Sequence, residues 1–382
     1  MTIECTFVGG RVLGANGWHD GPLAVADGHI QRDVVGRQID LSGYDILPGI
    51  VDVHGDGFER HMAPRRGALR EAENGVIACA SELAAQGITT AVMAQFYSWE
   101  GGIRSPDFAE HVFECVTRVR ETIPIDLRFQ LRLETHLLDD FGRAEKAIDR
   151  FGIKYLVFND HLPHKRLAEG RKPPRLVGQA LKAGRNPDAH FEFLLNLHAR
   201  SPEVPNALDT LSQRLAAKGV VLGSNDDHDA AHRAIWEMRS ATVSEFPETL
   251  EAAQAARDEG AHIVRGAPNI VRGASHAGNI SAADLVREGL CDALASDYHY
   301  PSPMRAAFRL AELEFCSFEE AWRKVSRGPA RLLALFDRGD LAPGKRADIV
   351  VLDPATRRVA ATIAGGQVAY MSGRIAERFV SS

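Results

Sequence analysis

Residues 45–56 read DILPGIVDVHGD. This apolar run is broken once, by Pro48-Gly49, and closes on Asp52-Val53-His54-Gly55-Asp56. Strand alternation sets Asp52, His54 and Asp56 on one side of the chain. An imidazole and carboxylates at that pitch can ligate one divalent cation. Taken alone, the motif reads better as a surface histidine beside a turn aspartate.

Working outward, seven further β-branched or apolar runs follow, at residues 87–95, 126–135, 152–160, 219–226, 241–246, 261–268 and 291–297. Helical stretches such as Glu71 to Gln86, with small and apolar residues at mixed i, i+3 and i+4 spacings, connect them. Eight such units over about 250 residues is the count of a (β/α)8 TIM barrel. A doubly wound open sheet is the rival, but no G-x-G-x-x-G follows the first strand. Outside this block both ends read as short, glycine-punctuated strands: CTFVGGRVLG and PLAVADGHIQ at one end, GKRADIVVLDP, VAATIAGGQVAY and GRIAERF at the other. The sequence therefore predicts an α/β chain with a small β-domain assembled from both termini, which the family resemblance given below implies is a β-sandwich. Its expected parts are residues 1–45 and 339–382 for the sandwich and 46–338 for the barrel. The basic, Pro-rich AEGRKPPRLVG, residues 168–178, reads as an exposed loop of the barrel.

Composition bounds the function. The chain has 382 residues with Lys+Arg 45 against Asp+Glu 51, a net charge of −6, and 45% hydrophobic residues. That excludes a disordered or collagen-like chain, and it leaves no basic footprint for nucleic acid or an anionic membrane. Five scattered cysteines without metal or disulfide spacing favour a reducing compartment. No uninterrupted apolar stretch reaches 18 residues. The expectation is a cytoplasmic protein without nucleic-acid or membrane partners, for which a homodimer is one possible assembly. The cysteines and the four tryptophans read as packing residues.

In a TIM barrel the chemistry sits at the carboxyl ends of the strands, and five of these ends are polar. The first is the His54 motif. The third is Glu134-Thr135-His136, where Glu134 interrupts an apolar run; a buried carboxylate there needs a cation or strong donors, with Arg132 as the alternative partner. The fourth is Asn159-Asp160-His161, the fifth Asn225-Asp226-Asp227-His228, and the eighth Ser296-Asp297-Tyr298-His299. Jointly they point to a divalent metal that lowers the pKa of a bound water towards neutrality. Asp297 is the expected general base, shuttling that water's proton to the leaving group. Two segments carry anion chemistry: Arg60-His61 with Arg65-Arg66 after the first strand, and Arg272 with Ser275 and His276 after the seventh. The latter stretch is rich in Gly and Ser and can offer backbone N–H groups to a phosphate. The competing reading pairs Arg60 and Arg65 with Glu59 and other surface acids.

At this level the chain resembles the amidohydrolase superfamily through DILPGIVDVHGD and LAPGKRADIVVLD, near its two ends. Within it, HMAPRRGA, NDHLPHKR, SEFPET, GAPNIVRGASHAGN and ASDYHYP are similar to the diphosphatase family of phosphonate metabolism, which belongs to the carbon–phosphorus lyase pathway. The resemblance implies a metal-dependent hydrolase of a phosphoanhydride, ribose 1-methylphosphonate 5-triphosphate or a related phosphorylated small molecule, with attack by metal-bound hydroxide and release of pyrophosphate. It also implies one or two ions, zinc first and manganese or iron as alternatives. The ligand set would be His54, Asp56, Glu134, His161, Asn225 and Asp297, with His61, Arg65, Arg272, Ser275 and His276 on the substrate. The sequence departs from the family at Asn225, which stands where His is usual and is a weaker, neutral ligand. His164, where the family has Gly, and His299 are further departures, and His136, His228 and His299 are left without assigned roles. Two other functions stay open: hydrolysis of an amide, by a deacylase or cyclic amidase, and a non-catalytic binding protein whose metal site has decayed.

Overall fold

A computed structural model describes residues 2–63, 71–273 and 280–380. Eight strands form one parallel sheet in chain order: β1 (Ile50–Gly55), β2 (Ile88–Tyr97), β3 (Asp126–Glu134), β4 (Tyr155–Asn159), β5 (Val221–Asn225), β6 (Ala241–Glu245), β7 (His262–Gly266) and β8 (Ala293–Ala295). A bridge between Gly55 and Asp297 joins its two ends, so the sheet is the near-closed barrel that the eight apolar runs predict. Every residue of β1 and β2 is buried, as expected of strands covered on both faces. By compactness the chain divides into two units, residues 1–93, 118–128 and 264–382 in one, and 94–117 and 129–263 in the other.

The first unit holds the terminal sheets. Strands 5–8, 23–26, 29–31 and 37–40 make a four-stranded sheet. A six-stranded one combines 11–14, 17–19 and 45–48 with 349–353, 358–364 and 367–371 from the other end of the chain. Asp45–Pro48 is the seam, antiparallel to Ile349–Asp353 and parallel to Arg11–Gly14. Phe7, Val25 and Ile39 of the smaller sheet share one apolar cluster with Ile46, Ile349, Val351 and Ile363 of the larger. Both termini therefore build the sandwich.

Pro48-Gly49 does more than interrupt an apolar run. It ends one strand, in the sandwich, and Ile50 begins another, in the barrel. A Cβ on Gly49 would come within 2.3 Å of Thr89 Oγ1, so only glycine fits this close passage. Two expectations need correction. GRIAERF is not a strand: Ile375–Val380 is a short helix whose Ile375 is buried in the sandwich core. The stretch at 168–178 is only partly loop, because a helix, Leu176–Lys182, starts within it and buries Leu176 and Ala180.

Candidate metal centre at the strand ends

In the first unit, the end of β1 is irregular. Its register with β2 shifts between Asp52 and Gly55, a bulge that re-aims the residues between. Asp52, fully buried, does not reach outward as a ligand would. It accepts bonds from Ser296 N (2.9 Å) and Ser296 Oγ (2.5 Å), locking the end of β8 onto β1. Burial raises its pKa, and the two Ser296 donors oppose that rise. Beyond this lock, Asp297 N donates to His54 O and Asp56 N donates to Asp297 O, each at 2.9 Å. Asp297 itself sits at φ 56°, a left-handed conformation held by these flanking bonds. The result is that His54, Asp56 and Asp297 offer donor atoms that lie within 4.8 Å of one another. One imidazole and two carboxylates at that spacing suit a divalent ion of the zinc class.

In the second unit, Glu134 ends β3 fully buried. Its carboxylate accepts from Trp99 Nε1 (3.1 Å) and His161 N (3.2 Å), and its other oxygen is bonded to His161 Nδ1. Burial works against protonation of His161, but the bond to Glu134 and the Glu134 charge together outweigh it and raise the pKa. Glu100 completes a second trio with Glu134 and His161, again within 4.8 Å. Asn225 closes β5, and its buried side-chain oxygen finds no hydrogen-bond donor among the described residues. A buried carbonyl oxygen without a donor is what a neutral ligand to a cation looks like before the cation is counted.

The expected residues thus fall into local sets: His54, Asp56 and Asp297 in one unit, Glu134 and His161 in the other, with Asn225 at the end of its own strand. Of the residues assigned to the substrate, His61 Nε2 is bonded to Glu82 (2.6 Å), which also holds Arg60. Arg272 is exposed, donates to Asn269 Oδ1 (2.8 Å) and lies 5.7 Å from the Tyr298 ring centroid. Arg65, Ser275 and His276 lie outside the described residues. His299 bonds Ser302 at the start of the helix Ser302–Glu312, and His228 is exposed and stacked on His232. Neither belongs to the trios. The alternative partner for Glu134, Arg132, has its guanidinium 3.8 Å from the Phe96 ring centroid and 3.4 Å from Asn159 Oδ1.

Sequence reasoning missed three residues. Trp99 is not packing alone, since its N–H holds Glu134. Glu100, in a loop, carried no periodic signal. Glu245, at the end of β6, is fully buried and accepts from Gln130 Nε2 and Tyr155 Oη, both at 2.6 Å. Its position at a strand end in SEFPET was a usable clue. The cysteines do behave as packing: burial pushes the Cys5 thiol up to about 11 and the Cys79 thiol to about 12.

The chain is a hydrolase of the amidohydrolase superfamily; the profile described as "Amidohydrolase family" matches residues 187–370. Over 346 residues the chain is 32% identical to the α-D-ribose 1-methylphosphonate 5-triphosphate diphosphatase of Escherichia coli (strain K12), covering 87% of this chain and 90% of that one. Two solved structures share the fold. Triazine hydrolase from Arthobacter aurescens matches with a TM-score of 0.60 at 16% identity, over 98% of this chain and 97% of its own. A Xaa-Pro dipeptidase with bound methionine matches at 0.64 and 13%, over 97% and 100%. No helix among the described residues is long and apolar enough to cross a membrane.

Proposed function

We propose that this hydrolase cleaves a phosphoanhydride in a phosphorylated small molecule, ribose 1-methylphosphonate 5-triphosphate or a close chemical relative, and releases pyrophosphate. The observation that carries the reading is the His54–Asp56–Asp297 trio, fixed by the joined ends of β1 and β8. The choice of substrate rests on the similarity to the diphosphatase along most of both chains.

His54, Asp56 and Asp297 would hold one divalent ion, and Glu134 and His161, with Asn225 as a neutral ligand, would offer donors to a second. Zinc is the expected metal, with manganese or iron as alternatives; bound, it would supply Lewis-acid polarisation of the phosphoryl oxygens and acidify water. The chain's own groups do the rest. Water attacks the phosphorus nearest the sugar, the bond to the bridging oxygen breaks, and pyrophosphate leaves. Asp297 accepts the proton from the attacking water and returns it to the departing oxygen, a role worth about 10²–10⁴ in rate. The backbone bonds at Asp297 hold its main chain in place during that transfer. Arg272 and His61, with Arg65, Ser275 and His276, would neutralise and orient the phosphate chain through charge-assisted bonds. For His61 this requires release from Glu82. The chemistry suits a protein working among soluble metabolites in the cytoplasm.

The test is to strip the protein of metal, reload it with zinc, manganese or iron, and follow pyrophosphate release from ribose 1-methylphosphonate 5-triphosphate and from nucleoside triphosphates. The reading predicts metal-dependent release. Protein that is inert on triphosphates yet hydrolyses N-acyl substrates overturns it in favour of amide chemistry.

A further inference from the structure

Outside the residues assigned above, the second unit gathers three histidines and an aspartate: His136 after β3, Asp160 after β4, His164 at the start of the helix His164–Ala168, and His198 near the end of the helix Pro187–Ala199. Their protons can be placed. Ser201 Oγ donates to His198 O (2.6 Å), which uses its one hydrogen, so its oxygen accepts from His136 Nε2 (3.0 Å). His136 Nδ1 is therefore the bare nitrogen. It lies 3.6 Å from Asp160 Oδ1, with the rotatable hydroxyl of Thr135 at 3.1 Å. His164 Nε2 lies 3.0 Å from both Asp160 oxygens, and its Nδ1 is 2.9 Å from His198 Nδ1.

Three donor atoms, from His136, Asp160 and His164, thus fall within 4.8 Å of one another. Ligands of one tetrahedral zinc-class ion, bonded at about 2.0–2.2 Å, stand about 3.3–3.6 Å apart. The observed separations of 3.0 and 3.6 Å bracket that range. Each imidazole also has its far nitrogen held, His136 by Ser201 and His164 by His198, which is how ligating histidines are oriented and tuned. Asp160 and His164 are 40% and 36% exposed, so an ion can enter and complete its shell with water.

We infer that His136, Asp160 and His164 form an additional divalent-cation site, made of other residues than the two trios described above and selective for a borderline ion such as zinc, cobalt or nickel. The ion would clip the end of β3, the turn after β4 and the following helix together.

The test uses the full-length chain, stripped with chelator and titrated with Co²⁺ alone, reading stoichiometry and the visible cobalt absorption. His164→Gln and Asp160→Asn should each bind one equivalent fewer than wild type and lose one component of the spectrum. Asp297→Asn should keep that component. Ser201→Ala should weaken the same equivalent by about 10–100-fold. Circular dichroism establishes that each variant is folded, and the half-exposed His164 makes its variant the safest carrier of the result. The inference is overturned if His164→Gln and Asp160→Asn, folded, bind as many equivalents as wild type with the same spectrum. It is equally overturned if the component they lose is the one lost in Asp297→Asn.

Discussion

Gly55→Ala is the sharpest probe of the joined ends of β1 and β8. A Cβ at Gly55 would sit 2.8 Å from Asp52 Oδ2, 2.9 Å from Ser296 Oγ and 3.0 Å from Tyr300 Cε1. None of these neighbours is free to yield. Asp52 and Ser296 are bonded to each other, and the Tyr300 ring, 2% exposed, is pinned among buried atoms. To reach ordinary contact at 3.4 Å the nearest of them must retreat by about 0.6 Å, and overpacking of this kind costs about 1–3 kcal/mol. Two of the displaced residues, Asp52 and Ser296, lie within two positions of His54 and Asp297 along the chain. Since a misplacement of about 1 Å can cost about 10²-fold in rate, kcat should fall about tenfold to a hundredfold. Pyrophosphate release at saturating substrate, with urea unfolding in parallel, measures both effects. The control is Gly142→Ala, in the helix Phe141–Phe151, where a Cβ meets nothing within 4 Å and the helix should gain up to about 1 kcal/mol. Wild-type kcat and stability in Gly55→Ala would refute the reasoning about this seam.

Three other outcomes are expected. Asp297→Asn keeps the backbone bonds but removes the proton acceptor, so kcat for pyrophosphate release should fall about 10²–10⁴-fold in a folded protein. Burial alone would raise the pKa of Asp126, but Arg128 and Arg338 hold it below 3.8. A depressed carboxylate stabilises the fold above its unfolded pKa and loses that contribution as pH falls; the stability difference between wild type and Asp126→Asn, from urea unfolding over a pH series, should therefore be full at neutrality and shrink below pH 3.8. With thiols pushed to about 11 and 12, Cys5 and Cys79 should resist alkylation at pH 8 until the chain is denatured, as mass spectrometry of labelled peptides would record.

The barrel was legible because its strands are buried on both faces and appear as apolar runs, and because five of those runs end in polar residues at a place where barrels do chemistry. All eight runs are strands. The sandwich was legible from glycine spacing at both ends, with one failure: in GRIAERF the glycine begins a helix, and the deciding contact, Ile375 against the sandwich core, is tertiary. At the site, i, i+2 spacing located the motif of β1 but could not assign its members. Asp52 and Asp56 are equivalent by alternation, and only the Ser296 donors show that Asp52 is a structural lock. Trp99 and Glu100 were invisible for a related reason: they come from a loop, and nothing local marks a loop residue as the partner of Glu134.

In the proposed reaction water attacks the phosphorus attached to the sugar and pyrophosphate departs intact. Turnover of ribose 1-methylphosphonate 5-triphosphate in ¹⁸O-labelled water, read by ³¹P resonance, tests it most directly. Label is expected in the sugar monophosphate and none in the pyrophosphate. Label in pyrophosphate, or stepwise release of inorganic phosphate, would contradict it.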